Sequence, residues 1–271
     1  MARSWLFAPG HSERTLARVF DAGADEVLLD LEDGVGPDFK EQARRLVAET
    51  LQSNPAWVRI NGPGTPAAEA DLNAIGELAK GINIPKVESR ADVAWVRERL
   101  AGRDISLAAT IESARGVLNC IDIAGGPGLV RLSFGNVDFA ADLGIASDAW
   151  EATLLARSQV VLASRAAEIE PPTDGVYTRF QDDDGLRLEA ARARALGFGS
   201  KSAIHPRQVP IINQIFTPTE AEVAWATDVV RVYRASQGAA TRTASGEMVD
   251  VPVFERARRL LALANPEVGG S

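Results

Sequence analysis

SLAATIESARGVLNCIDIAGGPGLVRLSFGNVDFAADLG, residues 106–144, reads as two buried strands with a helix between them. Each strand ends in a carboxylate, Glu112 in the first and Asp138 in the second. In a chain of repeating β/α units, neighbouring parallel strands deliver their C-terminal ends to one face, where catalytic loops gather. The two carboxylates are therefore expected to meet. Two hard oxygen ligands with room left for water and substrate suit magnesium, which keeps several waters and takes only one or two protein carboxylates. The competing reading is that each acid caps the helix after its strand or pairs with a barrel arginine.

Outward from this stretch, strand-like and helix-like segments alternate. SWLFAPG (4–10), EVLLDLEDGV (26–35), AWVRING (56–62) and INIPKVES (82–89) precede the central pair, and GVYTRF (175–180) and SKSAIHP (200–206) follow it. Helical spacing fills the intervals over about 13–22, 38–52, 67–80, 91–100, 149–169 and 181–198, and VPIINQIF (209–216) closes the round. Pro85 sits inside the fourth strand candidate, where proline disfavours a regular central strand. Eight strand candidates separated by helices predict an α/β fold, a (β/α)8 TIM barrel; a doubly wound open sheet is the runner-up. Polar residues at the strand ends (Glu32, Arg59, Glu88, Glu112, Asp138 and His205) recur about once per β/α unit, which favours the barrel.

The barrel is expected to occupy residues 1–217 as the catalytic domain. A helix over 218–235, the polar stretch SQGAATRTASGE (236–247) and a last helix over 253–264 exceed what a barrel needs, so 218–271 is expected to be a C-terminal helical arm or lid, able to cover its own barrel mouth or a neighbour's.

Composition narrows the class. A chain of 271 residues with 46% hydrophobic content can bury a sizeable core, and a formal net charge of −8 argues against a nucleic-acid surface. No apolar run suggests a membrane span. The single cysteine, Cys120, excludes an internal disulfide framework and is expected to pack in the core. The N-terminal apolar run is too short for a signal peptide, so a cytoplasmic location is expected.

In DLED (30–33), alternation puts Asp30 and Glu32 on one face and Leu29 and Leu31 on the other. Two inward acids need partners, and Arg59 and Lys86 are the candidates, giving a network of fixed ion pairs beneath the site. Glu32 and Asp33 then either orient a metal's waters or belong to a purely structural barrel network. Arg59 can hold a carboxylate or carbonyl oxygen in a fork that lysine does not reproduce, or serve Glu32 alone. His205 has no second histidine beside it and reads as a hydrogen-bonding residue; His11 follows a Pro-Gly turn. The usual nucleotide, dinucleotide and serine-hydrolase motifs are absent.

LFAPGHSER, GADEVLLDLEDGV with KEQAR, VRIN, IPKVES, IESARGV, FGNVDFAADLG, GFGSKSAIHPRQ and GEMVDVPVFERA, in this order, resemble the citrate lyase β-subunit-like proteins of the HpcH/HpaI aldolase superfamily. The resemblance implies a magnesium-dependent carbon–carbon lyase on carboxylated 3-hydroxyacyl-CoA thioesters of malyl-, citramalyl- or citryl-CoA type, with a 2-oxo acid as the other small-molecule partner. It places the metal on Glu112 and Asp138, with Glu112 also touching substrate, substrate binding on Arg59, and a catalytic lid aspartate on Asp250. Phe7, Arg14, Arg18 and Lys40 lie in matching regions and are candidates for coenzyme A contacts. A homotrimer or hexamer is implied. Three other functions stay open: an assembly subunit acting on a carrier-bound thioester, a non-catalytic acyl-CoA binder, and an aldolase acting on free hydroxy-keto acids. The chain departs from the family where an acidic residue often precedes the metal aspartate: it has Asn136 and Val137. His11 is a smaller departure.

Overall fold

The structure is a computed structural model that describes residues 2–100 and 102–264. Residues 2–214 form one compact unit and residues 215–264 belong to another. The first unit is a closed eight-stranded parallel barrel. Its strands are β1 (Ser4–Pro9), β2 (Glu26–Asp30), β3 (Trp57–Arg59), β4 (Gly81–Ile84), β5 (Ser106–Ile111), β6 (Leu129–Phe134), β7 (Glu170–Asp174) and β8 (Ser200–Ala203), in chain order around the barrel. The helices of this unit are α1 (Glu13–Val19), α2 (Lys40–Leu51), α3 (Pro66–Ile75), α4 (Arg90–Arg99), α5 (Ala114–Leu118), α6 (Cys120–Ala124), α7 (Asn136–Leu143), α8 (Trp150–Ala166), α9 (Asp183–Leu196) and the start of α10 (Val209–Phe216).

Local signals explain the punctuation. Ser12, Thr65, Ser113 and Asp182 accept backbone N–H groups at the starts of α1, α3, α5 and α9, and Ser89 with Asp92 forms a capping box at α4. The strands are short and buried on both faces, β4 throughout and β5 from its second residue, as parallel strands under a helical layer must be. Trp5, Leu28, Trp57 and Ala108 pack together in one core cluster, with the two indoles meeting edge-on at 5.0 Å. Cys120 is buried, as expected.

Four details differ from the sequence expectations. The seventh strand is EPPTD, not GVYTRF; its prolines fit because the β6–β7 register is irregular between Arg131 and Ser133. Asp138 lies not at a strand end but in the first turn of α7, a helix hidden in sequence because FGNVDFAADL is as apolar as the strand before it. The helix between β5 and β6 is two short helices that meet at Asn119. Pro85 falls just after β4 rather than within the strand.

The second unit carries the remaining helices, α11 (Glu220–Ala235) and α12 (Val251–Ala264). The polar stretch between them is not all turn: β9 (Thr241–Arg242) and β10 (Met248–Val249) pair as a short antiparallel hairpin. Ala226, Val229, Val249 and Ala257 form this unit's own buried cluster. Residues 265–271 of the expected arm lie outside the described residues.

Candidate active site

Register builds the site from the strand ends. β2 and β3 pair so that Asp30 stands beside Arg59, each the last residue of its strand. Arg59 donates through Nε and Nη2 to the two Asp30 oxygens at 2.8 and 2.7 Å, and Nη1 lies 2.8 Å from Glu32. Asp30 also accepts the backbone N–H groups of Glu32 and Gly34, both at 2.9 Å, which folds the chain after β2 back over its own strand end. Burial alone lowers the Arg59 pKa, but the hydrogen bonds to Asp30 and the charges of Asp30, Glu32 and Glu112 overcome it and raise it.

Lys86 extends the network. Its ammonium lies 3.0 Å from Glu32 and 3.1 Å from Asp33. Glu32 is buried between the two cations, and burial outweighs their charges to raise its pKa. The backbone of Lys86 is left-handed, with φ of 54°, and this turn directs its N–H onto Glu112 Oε1 at 2.6 Å. Glu88, on the same sequence face as Lys86, stays outside this network: it accepts from the Ser113 hydroxyl and faces Arg115.

Glu112 follows β5 directly and is buried, with Oε2 pressed toward the loop after β6. A Cβ on Gly135 would stand 2.4 Å from that oxygen, so the close approach requires glycine. Glu112 and Asp138 line one pocket of about 520 Å³, including its open mouth. Arg59 and Phe7 line it too, and Asn83, Thr110, Ser133, Thr173 and Ser202 supply neutral polar groups from β4 to β8. Burial, then the charges of Glu32 and Asp138, push the Glu112 carboxyl up to about 8. Among the described residues, Asp138 accepts no hydrogen bond and forms no ion pair. The charge of Asp138 thus disfavours the ionisation of Glu112, a conflict that a bound cation would relieve. No group of three or more His, Cys, Asp or Glu able to hold a metal occurs among the described residues. A hard cation here would rest on two carboxylates and fill its remaining positions with water and substrate oxygens, the donor set magnesium takes.

The other expected site residues are dispersed. The Lys40 ammonium donates to the carbonyls of Leu31 and Glu32, both at 2.6 Å, and to Asn61 at 2.7 Å. All three of its donors are committed, so it is a clamp on the loop after β2 and not a free phosphate ligand. Burial lowers its pKa despite the acids around it. Arg14 and Arg18 are exposed on α1. Phe7 lies under the Arg59 guanidinium, 4.9 Å from ring centre to Cζ. His11 packs on Phe39, and His205 caps the turn after β8 and stacks on Phe180. Asp250 lies in the second unit, where its side chain accepts the Val253 N–H at the start of α12.

One buried charge cluster has no local signal in the sequence. Arg157, Asp174, Lys201 and Glu189 form a buried charge cluster, with contacts of 2.9 Å from Arg157 to Asp174, 2.6 Å from Lys201 to Asp174 and 2.7 Å from Lys201 to Glu189. Asn136 is buried and bonded both ways to the Val176 backbone.

Residues 3–206 match the family model described as HpcH/HpaI aldolase/citrate lyase. The chain belongs to the HpcH/HpaI aldolase/citrate lyase family. Within this family it is 35% identical, over 97% of its length and 94% of the relative's, to a (3S)-malyl-CoA thioesterase of Cereibacter sphaeroides. It is 31% identical, over 97% of the chain and 86% of the relative, to the mitochondrial citramalyl-CoA lyase of Rattus norvegicus. Among solved structures, CitE from Mycobacterium tuberculosis in complex with magnesium, acetoacetate and coenzyme A superposes with a TM-score of 0.83 at 33% identity, covering 97% of this chain and 98% of that one.

Proposed function

We propose that this chain is a magnesium-dependent carbon–carbon lyase that cleaves, or in reverse forms, a 3-hydroxyacyl-CoA thioester bearing a carboxylate, yielding an acyl-CoA and a 2-oxo acid. The observation that carries this reading is that Glu112 and Asp138 line one barrel-mouth pocket, neither with an ion-pair partner among the described residues. Its relatives include a citramalyl-CoA lyase and a CitE holding magnesium and coenzyme A.

Glu112 and Asp138 would hold the magnesium ion. When bound, magnesium supplies a Lewis acid and a template for the carboxylate and hydroxyl oxygens of the substrate. Arg59 is kept cationic and fixed by Asp30 and Glu32, and at least two of its five N–H donors remain for the enolate oxygen of the departing acyl-thioester. Glu32 and Asp33 hold Lys86 in place, and the Lys86 N–H in turn orients Glu112. The apolar wall of Trp5, Phe7 and Leu28 limits water around the acyl group. Proton exchange at the acyl-thioester carbon is assigned to Asp250, the position on which the family's lid aspartate falls by resemblance. Arg14 and Arg18, exposed on α1, are assigned to coenzyme A phosphates. We assign the chain to the cytoplasm as a homo-oligomer, a trimer or hexamer; among the described residues no helix is long and apolar enough to cross a membrane.

The test is product release by the purified protein from malyl-, citramalyl- and citryl-CoA, with and without EDTA. Glyoxylate, pyruvate or oxaloacetate released in a chelator-sensitive manner is the expected result. Release that requires an acyl-carrier protein would mark an assembly subunit, and binding without products a silent binder. Free coenzyme A without a 2-oxo acid would instead indicate thioester hydrolysis, the second reading, favoured by the relative named a malyl-CoA thioesterase.

A further inference from the structure

Resting on the assignment of Asp138 to the metal, we propose that Asn136 is a positioning residue that sets magnesium affinity by locking the loop after β6 to the loop after β7. The β6–β7 ladder ends at the pair Ser133 and Thr173. Beyond it, the Asn136 side chain takes over as a further rung: its amide donates from Nδ2 to the Val176 carbonyl at 3.0 Å, and its Oδ1 accepts the Val176 N–H at 2.9 Å. A carboxamide offers a donor and an acceptor on one planar group, as a peptide does, so the pair imitates strand pairing where no strand exists.

The loop that receives this rung is itself pinned on both sides of Val176. Lys201 donates to the Gly175 carbonyl at 2.9 Å, and the buried Gln208 donates to the Tyr177 carbonyl at 2.8 Å. A Cβ on Gly175 would lie 1.9 Å from Asn136 Oδ1, so the residue facing Asn136 must be glycine.

Asp138 depends on this tether. Its carboxylate has no hydrogen bond among the described residues, and α7 has no side-chain cap at Gly135. The direction of Asp138 is therefore that of the first turn of α7; the Gly135 N–H bond to the Ile111 carbonyl at 3.0 Å ties this turn to β5, and Asn136, in the same turn and 3% exposed, ties it to the loop after β7. The same tether brings Val137 and Val176 to the pocket wall. A neutral amide does this without adding a third negative charge to Glu112 and Asp138.

The test is magnesium affinity measured calorimetrically on the substrate-free protein, with the thermal midpoint in EDTA recorded alongside. Asn136→Ala is expected to weaken magnesium about tenfold, in the range seen when groups that orient metal ligands are removed, and to lower kcat more than it raises KM. Asn136→Asp keeps the shape and one bond but sets a carboxylate oxygen against the Val176 carbonyl. The tether account expects weaker magnesium binding for it, whereas its added charge alone would make binding tighter. Wild-type affinity in Asn136→Ala, or equal or tighter binding in Asn136→Asp, overturns the proposal; if the alanine variant does not fold, the isosteric aspartate decides. Asp138→Asn serves as the control: if it binds magnesium as wild type does, the metal assignment fails instead.

Discussion

Glu112 gives the sharpest consequence at the scale of a single residue. Its folded pKa is raised from an ordinary carboxylate value to about 8, with burial the largest cause and the charges of Glu32 and Asp138 next. A raised carboxyl means that the metal-free fold binds more protons than the unfolded chain between those values, so this group's contribution to stability is full at low pH and declines as pH rises from about 4.5 toward 8. Magnesium, when bound, must displace that proton. Affinity is therefore expected to rise with pH up to about 8 and then level, and calorimetry near pH 7 in buffers of different ionisation enthalpy should detect proton release on binding. Glu112→Gln should abolish that release. Affinity that is flat with pH and free of proton release would show that Glu112 is already ionised or does not meet the ion. Lys40 teaches the converse lesson: a lysine opening a helix reads as a solvated cation, and nothing local reveals that two carbonyls and Asn61 will surround it.

At the scale of elements, the turn after β4 shows how a strand end becomes part of a site. Lys86 adopts a left-handed backbone, costly for a residue with a Cβ, and thereby points its N–H at Glu112 and its ammonium at Glu32 and Asp33. Two substitutions separate these roles. Lys86→Gly loses the ammonium but is free of the backbone cost, while Lys86→Met loses the ammonium and keeps it; the glycine variant is expected to be more stable by about 1 kcal/mol in denaturant unfolding. Equal stability would mean the turn is not strained. Strand order and the meeting of Arg59 with Asp30 and Glu32 were legible because alternation and strand-end position fix which side chains share a face. The seventh strand was not, since Pro171 and Pro172 argue against a strand unless a register irregularity receives them. Nor was α7: its apolar spacing continues that of β6, so Asp138 was read at a strand end when it rides on a helix turn.

Over the molecule as a whole, the barrel places its reactive pocket at the C-terminal ends of the strands and a separate charge cluster between β7, β8 and the helices outside them. Arg157, Asp174, Lys201 and Glu189 come from four elements, so no local pattern announces the cluster; each charge taken alone fits the polar side of a helix or a strand end. Asp174 is fully buried, and although burial favours its neutral form, the cations Lys201 and Arg157 outweigh that and hold its pKa below the usual range. A depressed carboxyl contributes stability above its unfolded pKa and loses it as pH falls through the folded value, so the cluster makes the barrel acid-sensitive. Asp174→Ala leaves the buried Arg157 without a carboxylate, while Lys201 keeps Glu189, and is expected to cost about 3–5 kcal/mol, read as a fall in the denaturation midpoint; a loss below about 1 kcal/mol would mean that the cluster relaxes into water.

The claim on which the account depends is that Glu112 and Asp138 hold one divalent cation, and manganese in place of magnesium makes it directly visible. Crystals grown with manganese should show a single strong anomalous peak between the two carboxylates, absent from Asp138→Asn crystals grown in the same way. A peak elsewhere in the barrel, or none within ligand distance of both residues, would contradict it.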